Sequence, residues 1–81
     1  TGPVWARVLE ALQEKVTRPS FETWLSRTRC YAIIDRALFI AVPNAFVAEM
    51  LENRMWSLIQ QTTDQVLGYE TSVEFVIGEE S

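Results

Sequence analysis

Residues 37–50 read ALFIAVPNAFVAEM, and the spacing of their apolar side chains changes in the middle of the stretch. Before Pro43 the apolar residues alternate, as they do on the buried face of a β-strand. Pro43 cannot continue a central strand, and Asn44 is a favourable N-cap, so a helix should begin at this point. The stretch therefore predicts a strand that leads directly into a helix. The alternating residues on the buried face are Leu38, Ile40 and Val42.

Two further strands are predicted on either side of this junction. The helix should be long, because its apolar pattern continues to Gly68, a common C-terminal stop. Residues 71–77 then alternate again. Upstream, residues 29–34 form another alternating run, and the two-residue break Asp35-Arg36 predicts a hairpin with the strand that follows it.

Two helices are predicted before the first strand. Apolar residues recur at helical spacing over residues 3–16 and fall on one side of the helix. Thr17 is a good N-cap and Pro19 is tolerated in a first helical turn, so a short second helix should begin there. The order α-α-β-β-α-β predicts an α+β domain in which helices cover one face of a three-stranded sheet. In the second helix Phe21, Trp24 and Leu25 should be buried, and Ser20, Thr23 and Arg27 should face solvent.

Composition limits the chemistry that the chain can perform. Its 81 residues suit a single domain over residues 1–78, with residues 79–81 as the start of a flexible linker or tail. There is no His, and the single Cys30 cannot form a thiolate cluster, so we expect no enzyme activity, cofactor or metal site. One free thiol suits the cytoplasm, and no apolar run is long enough to span a membrane.

The charge is unevenly distributed. Residues 1–36 carry six basic and four acidic residues, whereas residues 37–81 carry one basic and seven acidic residues. The net charge of −4 argues against strong binding of nucleic acid by the domain as a whole. Such an asymmetry favours a surface that docks other proteins.

Phe46 departs from the pattern of its own helix. On a helical wheel it projects nearly opposite the apolar stripe, with Met50 and Asn53 as its neighbours. The ring either folds back onto the second helix, where it would complete a small satellite cluster, or serves as an exposed anchor for a protein partner. Trp56 also lies off the stripe, and partial packing is expected for it. The stripe consists of Val47, Leu51, Met55, Leu58, Ile59, Thr62 and Val66.

The stretches RPSFETWL at residues 18–25 and AVPNAFV at residues 41–47 resemble the N-terminal domain of the bacterial replication initiator DnaA. Val4-Trp5 and the final strand at residues 73–76 extend the resemblance over nearly the whole chain. It implies a fold similar to type II KH modules and a role in protein interaction. The implied partners are the replicative helicase, regulatory proteins of initiation and, weakly, a second copy of the chain. No Walker-type Gly-Lys-Ser/Thr loop is present, so we expect no ATP binding by these residues.

The resemblance also implies roles for individual residues. Phe46 matches the aromatic residue of the helicase- and regulator-contacting patch, and Ser20 and Thr23 would lie beside that patch. Asn44 either contacts the partner or only caps its helix. Trp5 matches a tryptophan used for self-association. It falls near the end of the buried stripe of the first helix, so it is either an ordinary core residue or a half-exposed ring that can contact a second copy.

Weak binding of single-stranded nucleic acid is the alternative function. KH modules hold the backbone of the nucleic acid with a Gly-x-x-Gly loop, which this chain lacks. Weak, salt-sensitive contact through charge and stacking is still expected. The residues available for it are Arg18, Arg27 and Arg29, with Tyr31 or Phe39 exposed beside them.

Overall fold

The structure, a computed structural model, describes residues 2–78, so the predicted linker at residues 79–81 lies outside the described part. The α-α-β-β-α-β order is confirmed. We use "third helix" for residues 45–67, in which two α-helical segments flank a π-helical turn. In chain order the elements are α1 (Gly2–Gln13), α2 (Arg18–Ser20) with a π-helical turn (Phe21–Leu25), β1 (Arg29–Ile34), β2 (Ala37–Val42), α3 (Ala45–Met50), a second π-helical turn (Leu51–Met55), α4 (Trp56–Leu67) and β3 (Ser72–Ile77).

The three strands form one mixed sheet in the order β1-β2-β3. β1 pairs with β2 in antiparallel fashion, and β2 pairs with β3 in parallel. Leu38, Ile40 and Val42 of β2 are buried under the helices, whereas Phe39 on the opposite face is only half-buried. The predicted α+β class, with helices on one face of the sheet, is thus confirmed, and the opposite side is called the open face below. The likeness to KH modules stays a prediction.

The hairpin between β1 and β2 has a tight two-residue turn. Asp35 and Arg36 both have left-handed backbone conformations, with φ of 49° and 69°. This pair of positive values suits the right-handed twist of the two strands, although Asn-Gly is the pair that adopts it most readily. The guanidinium carbon of Arg36 lies 4.9 Å from the ring centroid of Tyr69, so a cation–π contact holds the turn against the segment before β3.

The predicted helix ends are confirmed by their hydrogen bonds. The Ser20 amide donates to the Thr17 side chain at 3.3 Å, and the Val47 amide donates to Asn44 Oδ1 at 2.9 Å. Gly68 ends α4 in a left-handed conformation with φ of 82°. Only the end of the first helix differs, because α1 stops at Gln13 rather than at residue 16.

The third helix keeps one side buried over its whole length because of its π-helical turn. Residues spaced by four drift steadily around a regular α-helix, so such a stripe would leave the core after a few turns. A π turn contains more residues than an α turn and cancels part of the drift. Buried residues therefore continue at spacing four, while the predicted Leu58 and Val66 are only half-buried. The series comprises Val47, Leu51, Met55, Ile59 and Thr63.

Of the two interpretations of Trp5, the core residue is confirmed and the half-exposed ring is wrong. The residue is 2% exposed, and its indole Nε1 donates to Thr28 Oγ1 at 3.0 Å. Thr28 in turn donates to the Leu25 carbonyl oxygen at 2.7 Å. Because a buried hydroxyl satisfies the indole N–H, the ring has no need of water and can be covered completely. The prediction that Trp5 mediates self-association therefore has no exposed ring to support it.

A group of polar side chains attaches β3 to α4. The Thr71 amide and hydroxyl donate to Asp64 Oδ1 at 2.8 and 2.7 Å, and the Gln60 amide donates to the same oxygen at 3.0 Å. Hydrogen bonds from Thr71, above all from its hydroxyl, hold the pKa of Asp64 below its usual value, although partial burial acts in the opposite direction. The charged carboxylate is thus favoured in the folded chain.

Asp64→Asn should consequently destabilise the chain at neutral pH and have a smaller effect in acid. Because the folded pKa is lowered, this contribution is complete above the unfolded value of about 3.9 and is lost as the pH falls through the folded value. Urea unfolding of both proteins at about pH 7 and about pH 2.5 measures the difference. Glu10→Gln, which removes an exposed carboxylate of α1, is the control. A destabilisation by Asp64→Asn that is equal at both pH values would contradict this assignment.

Candidate protein-docking site

Phe46 lies on the surface and forms an aromatic pair with Trp24. Its ring centroid is 5.4 Å from that of Trp24, with the two planes tilted by 55°, a favourable geometry for an aromatic pair. Its side chain nevertheless remains 70% exposed. The ring therefore contacts the second helix and is also exposed, and its use as an anchor for a partner stays a prediction.

The local sequence forces this position on Phe46. Asn44 caps the helix, and Val47 is buried in the core. With these two residues fixed, the first turn of α3 directs residue 46 away from the sheet. Asn44 itself is exposed. Its capping bond accounts for the residue without a partner, and a direct contact remains a prediction.

A shallow groove follows Phe46 along the third helix. The groove has a volume of about 390 Å³, and it brings together the predicted residues Phe46, Met50 and Asn53. Glu49 and Arg54 also line it, and neither was predicted. Glu49 could have been found from its spacing, because residues three apart on a helix are neighbours. The site thus has apolar side chains at its centre and charged side chains around them.

The second helix supplies the other wall of the site. Phe21 and Trp24 were expected to be buried, but both are half-buried residues that pack against the core, while Leu25 is fully buried. The Trp24 ring thus packs against the core and also pairs with the ring of Phe46. Thr23 is exposed and Ser20 is half-buried. We use "aromatic patch" for Trp24 and Phe46 with Met50 and Asn53.

The predicted basic residues do not form one surface. Arg27 and Arg29 line a depression of about 550 Å³ together with Tyr31, at the end of the sheet where β1 begins. Tyr31 lies beside Phe39, with ring centroids 6.1 Å apart. Arg18 instead lines a separate depression beside Phe21. The structure therefore keeps two of the three arginines near the aromatic rings of β1 and β2.

Among residues 2–78 there is no group of three or more Cys, Asp or Glu side chains placed to hold a metal ion. Burial raises the pKa of the Cys30 thiol, whose Sγ lies 3.5 Å from the Ala32 carbonyl oxygen. In the same part of the chain, no helix is both long and apolar enough to cross a membrane.

Comparison with known protein families gives a match to the DnaA N-terminal domain over residues 3–65. The matched segment begins in α1 and ends within α4, so it includes every residue of the aromatic patch. It covers about three quarters of the chain. The match contains the stretches at residues 18–25 and 41–47 that carry the resemblance, whereas the final strand at residues 73–76 lies outside it. The chain therefore belongs to the family of the N-terminal domain of the replication initiator DnaA.

Proposed function

We propose that the aromatic patch is the surface through which this domain recruits the replicative helicase and docks regulatory proteins of initiation in the cytoplasm. The observation that carries this proposal is the 70% exposure of Phe46 on top of Trp24. Aromatic side chains at the centre of an interface, with polar residues around them, supply most of the binding free energy in many complexes. Asn44, Thr23 and Asn53 are suitable polar neighbours.

Two features suit the patch to binding. The Trp24 ring restrains Phe46, so little side-chain entropy is lost when a partner covers it. The first turn of the helix that carries Phe46 is held by its cap and by the buried Val47. Binding without catalysis is accordingly proposed for this domain.

Weak self-association is part of the proposal, but it needs a surface other than the Trp5 ring. That ring is covered and hydrogen-bonded within its own chain. A small interface with poor affinity is expected, since the exposed apolar side chains of so small a domain supply only a small contact area.

The test is a titration of the fluorescently labelled chain with the purified replicative helicase of the same organism, followed by anisotropy. Saturable binding in the micromolar range or tighter is expected, at a total free energy of about −8 kcal/mol. A helicase whose nucleotide and single-stranded DNA sites are occupied should still bind, because the patch does not imitate either ligand. Absence of binding at the highest helicase concentration would contradict helicase recruitment.

Weak binding of single-stranded nucleic acid is the second candidate, and one observation favours it. Arg27, Arg29 and Tyr31 line a common depression, and Phe39 lies beside Tyr31 on the open face. Charge and a stacking platform together are what sequence-tolerant single-strand binding uses.

This candidate predicts strongly salt-dependent binding of an oligothymidine of about 16 nucleotides. The affinity should fall several-fold between about 50 and 200 mM salt, since few phosphates are contacted. Arg27→Ala and Arg29→Ala should each weaken binding, whereas Arg18→Ala, in a different depression, is the matched control. Equal effects of all three substitutions would contradict a site at this end of the sheet. Tight binding that survives the higher salt would place nucleic acid ahead of protein as the main ligand.

A further inference from the structure

A row of side chains on the third helix follows the outer edge of β3. Residues four apart on a helix lie on one side of it, and this row consists of Glu52, Trp56, Gln60 and Asp64. Asp64 holds Thr71, just before β3, and Gln60 Oε1 accepts from the Val73 amide at 3.3 Å. The row therefore runs beside the strand, and its last two members occupy the start of the strand edge.

Beyond Val73, the outer edge of β3 carries backbone groups that point away from the sheet. The Ser72 amide donates to the Arg36 carbonyl oxygen, in the turn before β2. The Gly78 amide donates to the Val42 carbonyl oxygen, at the end of β2. Because the backbone N–H groups of successive residues point to opposite sides of a strand, the amides of Val73, Phe75 and Ile77 point away from β2. The Val73 amide, the first of these, donates to the Gln60 side chain. The edge thus offers its hydrogen-bonding groups from Phe75 to Ile77, and β3 has no proline or bulge there to prevent pairing.

A groove lies beside this edge. It has a volume of about 270 Å³ and is lined by Glu52 and Trp56 of the helix row and by residues 72–75 of the strand. Trp56 is 46% exposed, which leaves an indole surface that no element of residues 2–78 covers. The neighbouring Ile77 is exposed as well. An apolar side chain of a bound strand would find contacts here.

The charges of the groove select its occupant. Glu52 and Glu74 both line it, and none of its lining residues is basic. Arg27 and Arg29 lie near the other end of β3, in the depression that Ile77 lines. A second copy of the chain, paired edge to edge through β3, would bring the acidic linings of two grooves together, which costs free energy. A strand with basic side chains would meet complementary charge.

We infer that the outer edge of β3 accepts an extended segment of a partner protein by strand addition, and that this segment carries Lys or Arg side chains with an apolar side chain between them. Backbone hydrogen bonds to Phe75 and Ile77 hold the segment. Its apolar side chains pack on Trp56 on the helix side of the sheet, and the basic side chains that alternate with them face Glu74 on the open face. This surface differs from the aromatic patch, which lies on another side of the third helix and has its own lining residues. One domain would then bind two partners at once.

The experiment is a titration of the ¹⁵N-labelled chain with two capped peptides, Lys-Val-Lys-Val-Lys-Val-Lys-Val and Glu-Val-Glu-Val-Glu-Val-Glu-Val. At about 1 mM peptide, the basic peptide should shift the amide signals of Phe75 and Ile77 and the indole signal of Trp56. The acidic peptide should leave them unchanged. Shifts of equal size with both peptides, or none with the basic one, would overturn the inference. So would shifts at these positions that depend on protein concentration without peptide, because they would indicate a second copy.

Two variants separate backbone pairing from charge. Ile77→Pro removes an outward amide and blocks the edge at an exposed position, so it should abolish the shifts at Phe75. Glu74→Lys leaves the backbone intact. It should lower the affinity for the basic peptide at least about 5-fold and allow the acidic peptide to bind. The control is Glu49→Lys, which places the same charge in the groove beside Phe46. If Glu49→Lys weakens the basic peptide as much as Glu74→Lys does, the inference is wrong whether or not Ile77→Pro folds.

Discussion

Replacing Trp5 with alanine should lower the free energy of unfolding by about 3–5 kcal/mol. The substitution removes a ring that is 2% exposed and leaves a cavity between α1 and the sheet. It also removes the indole N–H that donates a hydrogen bond to Thr28 Oγ1 in the buried interior. For a domain of this size such a loss is a large part of the total stability. Urea unfolding followed by circular dichroism measures it.

Trp56→Ala is the matched control, because the same side chain is removed from a site that is 46% exposed. Its effect should stay near or below about 1 kcal/mol. Any loss of self-association in Trp5→Ala should follow the fraction of unfolded chain. Full stability together with lost self-association would show instead that the Trp5 ring can leave the core and contact a second copy.

Phe46→Ala should weaken helicase binding by about 2 kcal/mol or more, which is roughly 30-fold, and leave the free energy of unfolding within about 1 kcal/mol. The stability term is small because the ring is 70% exposed and its described aromatic contact is with Trp24 alone. The binding term is large because a central aromatic side chain would be lost from the interface. Anisotropy titration and urea unfolding of the same preparation give the two values.

Phe39→Ala, on the open face of the sheet, is the matched control for binding, since it removes an aromatic ring from a different surface. It should leave the helicase affinity unchanged. If Phe46→Ala lost several kcal/mol of stability, its weaker binding would reflect unfolding. If its affinity were unchanged at full stability, the aromatic patch would not be the helicase site.

Local features of the fold could be predicted because their causes are local. Thr17 and Asn44 cap helices through bonds that span three residues, and Gly68 ends a helix by its own backbone freedom. The alternation in β2 shows directly which face the helices cover. The outward direction of Phe46 likewise followed from its place beside a buried neighbour on the first helical turn.

The features that the sequence did not predict depend on contacts between distant residues. The partner of Trp5 is Thr28, from another element, so helical spacing alone could not decide whether the ring is covered. Trp24 lies at a buried spacing, but its outer side is closed only by Phe46 from the third helix. The π-helical turn at Leu51–Met55 shifts the phase of a wheel drawn for a regular helix. The order of the strands depends on the edge of the sheet at which the chain returns after the third helix, and the sequence pattern does not determine that edge.

Mapping of amide chemical shifts during titration with the replicative helicase tests the docking surface most directly. The largest changes should appear at Phe46, Met50 and Asn53 and at the indole signal of Trp24, with Thr23 affected through its position beside that ring. The signals of α1 should remain in place. Changes confined to α1 or to the open face of the sheet, with the aromatic patch unaffected, would contradict the assignment of helicase docking to Phe46 and its neighbours.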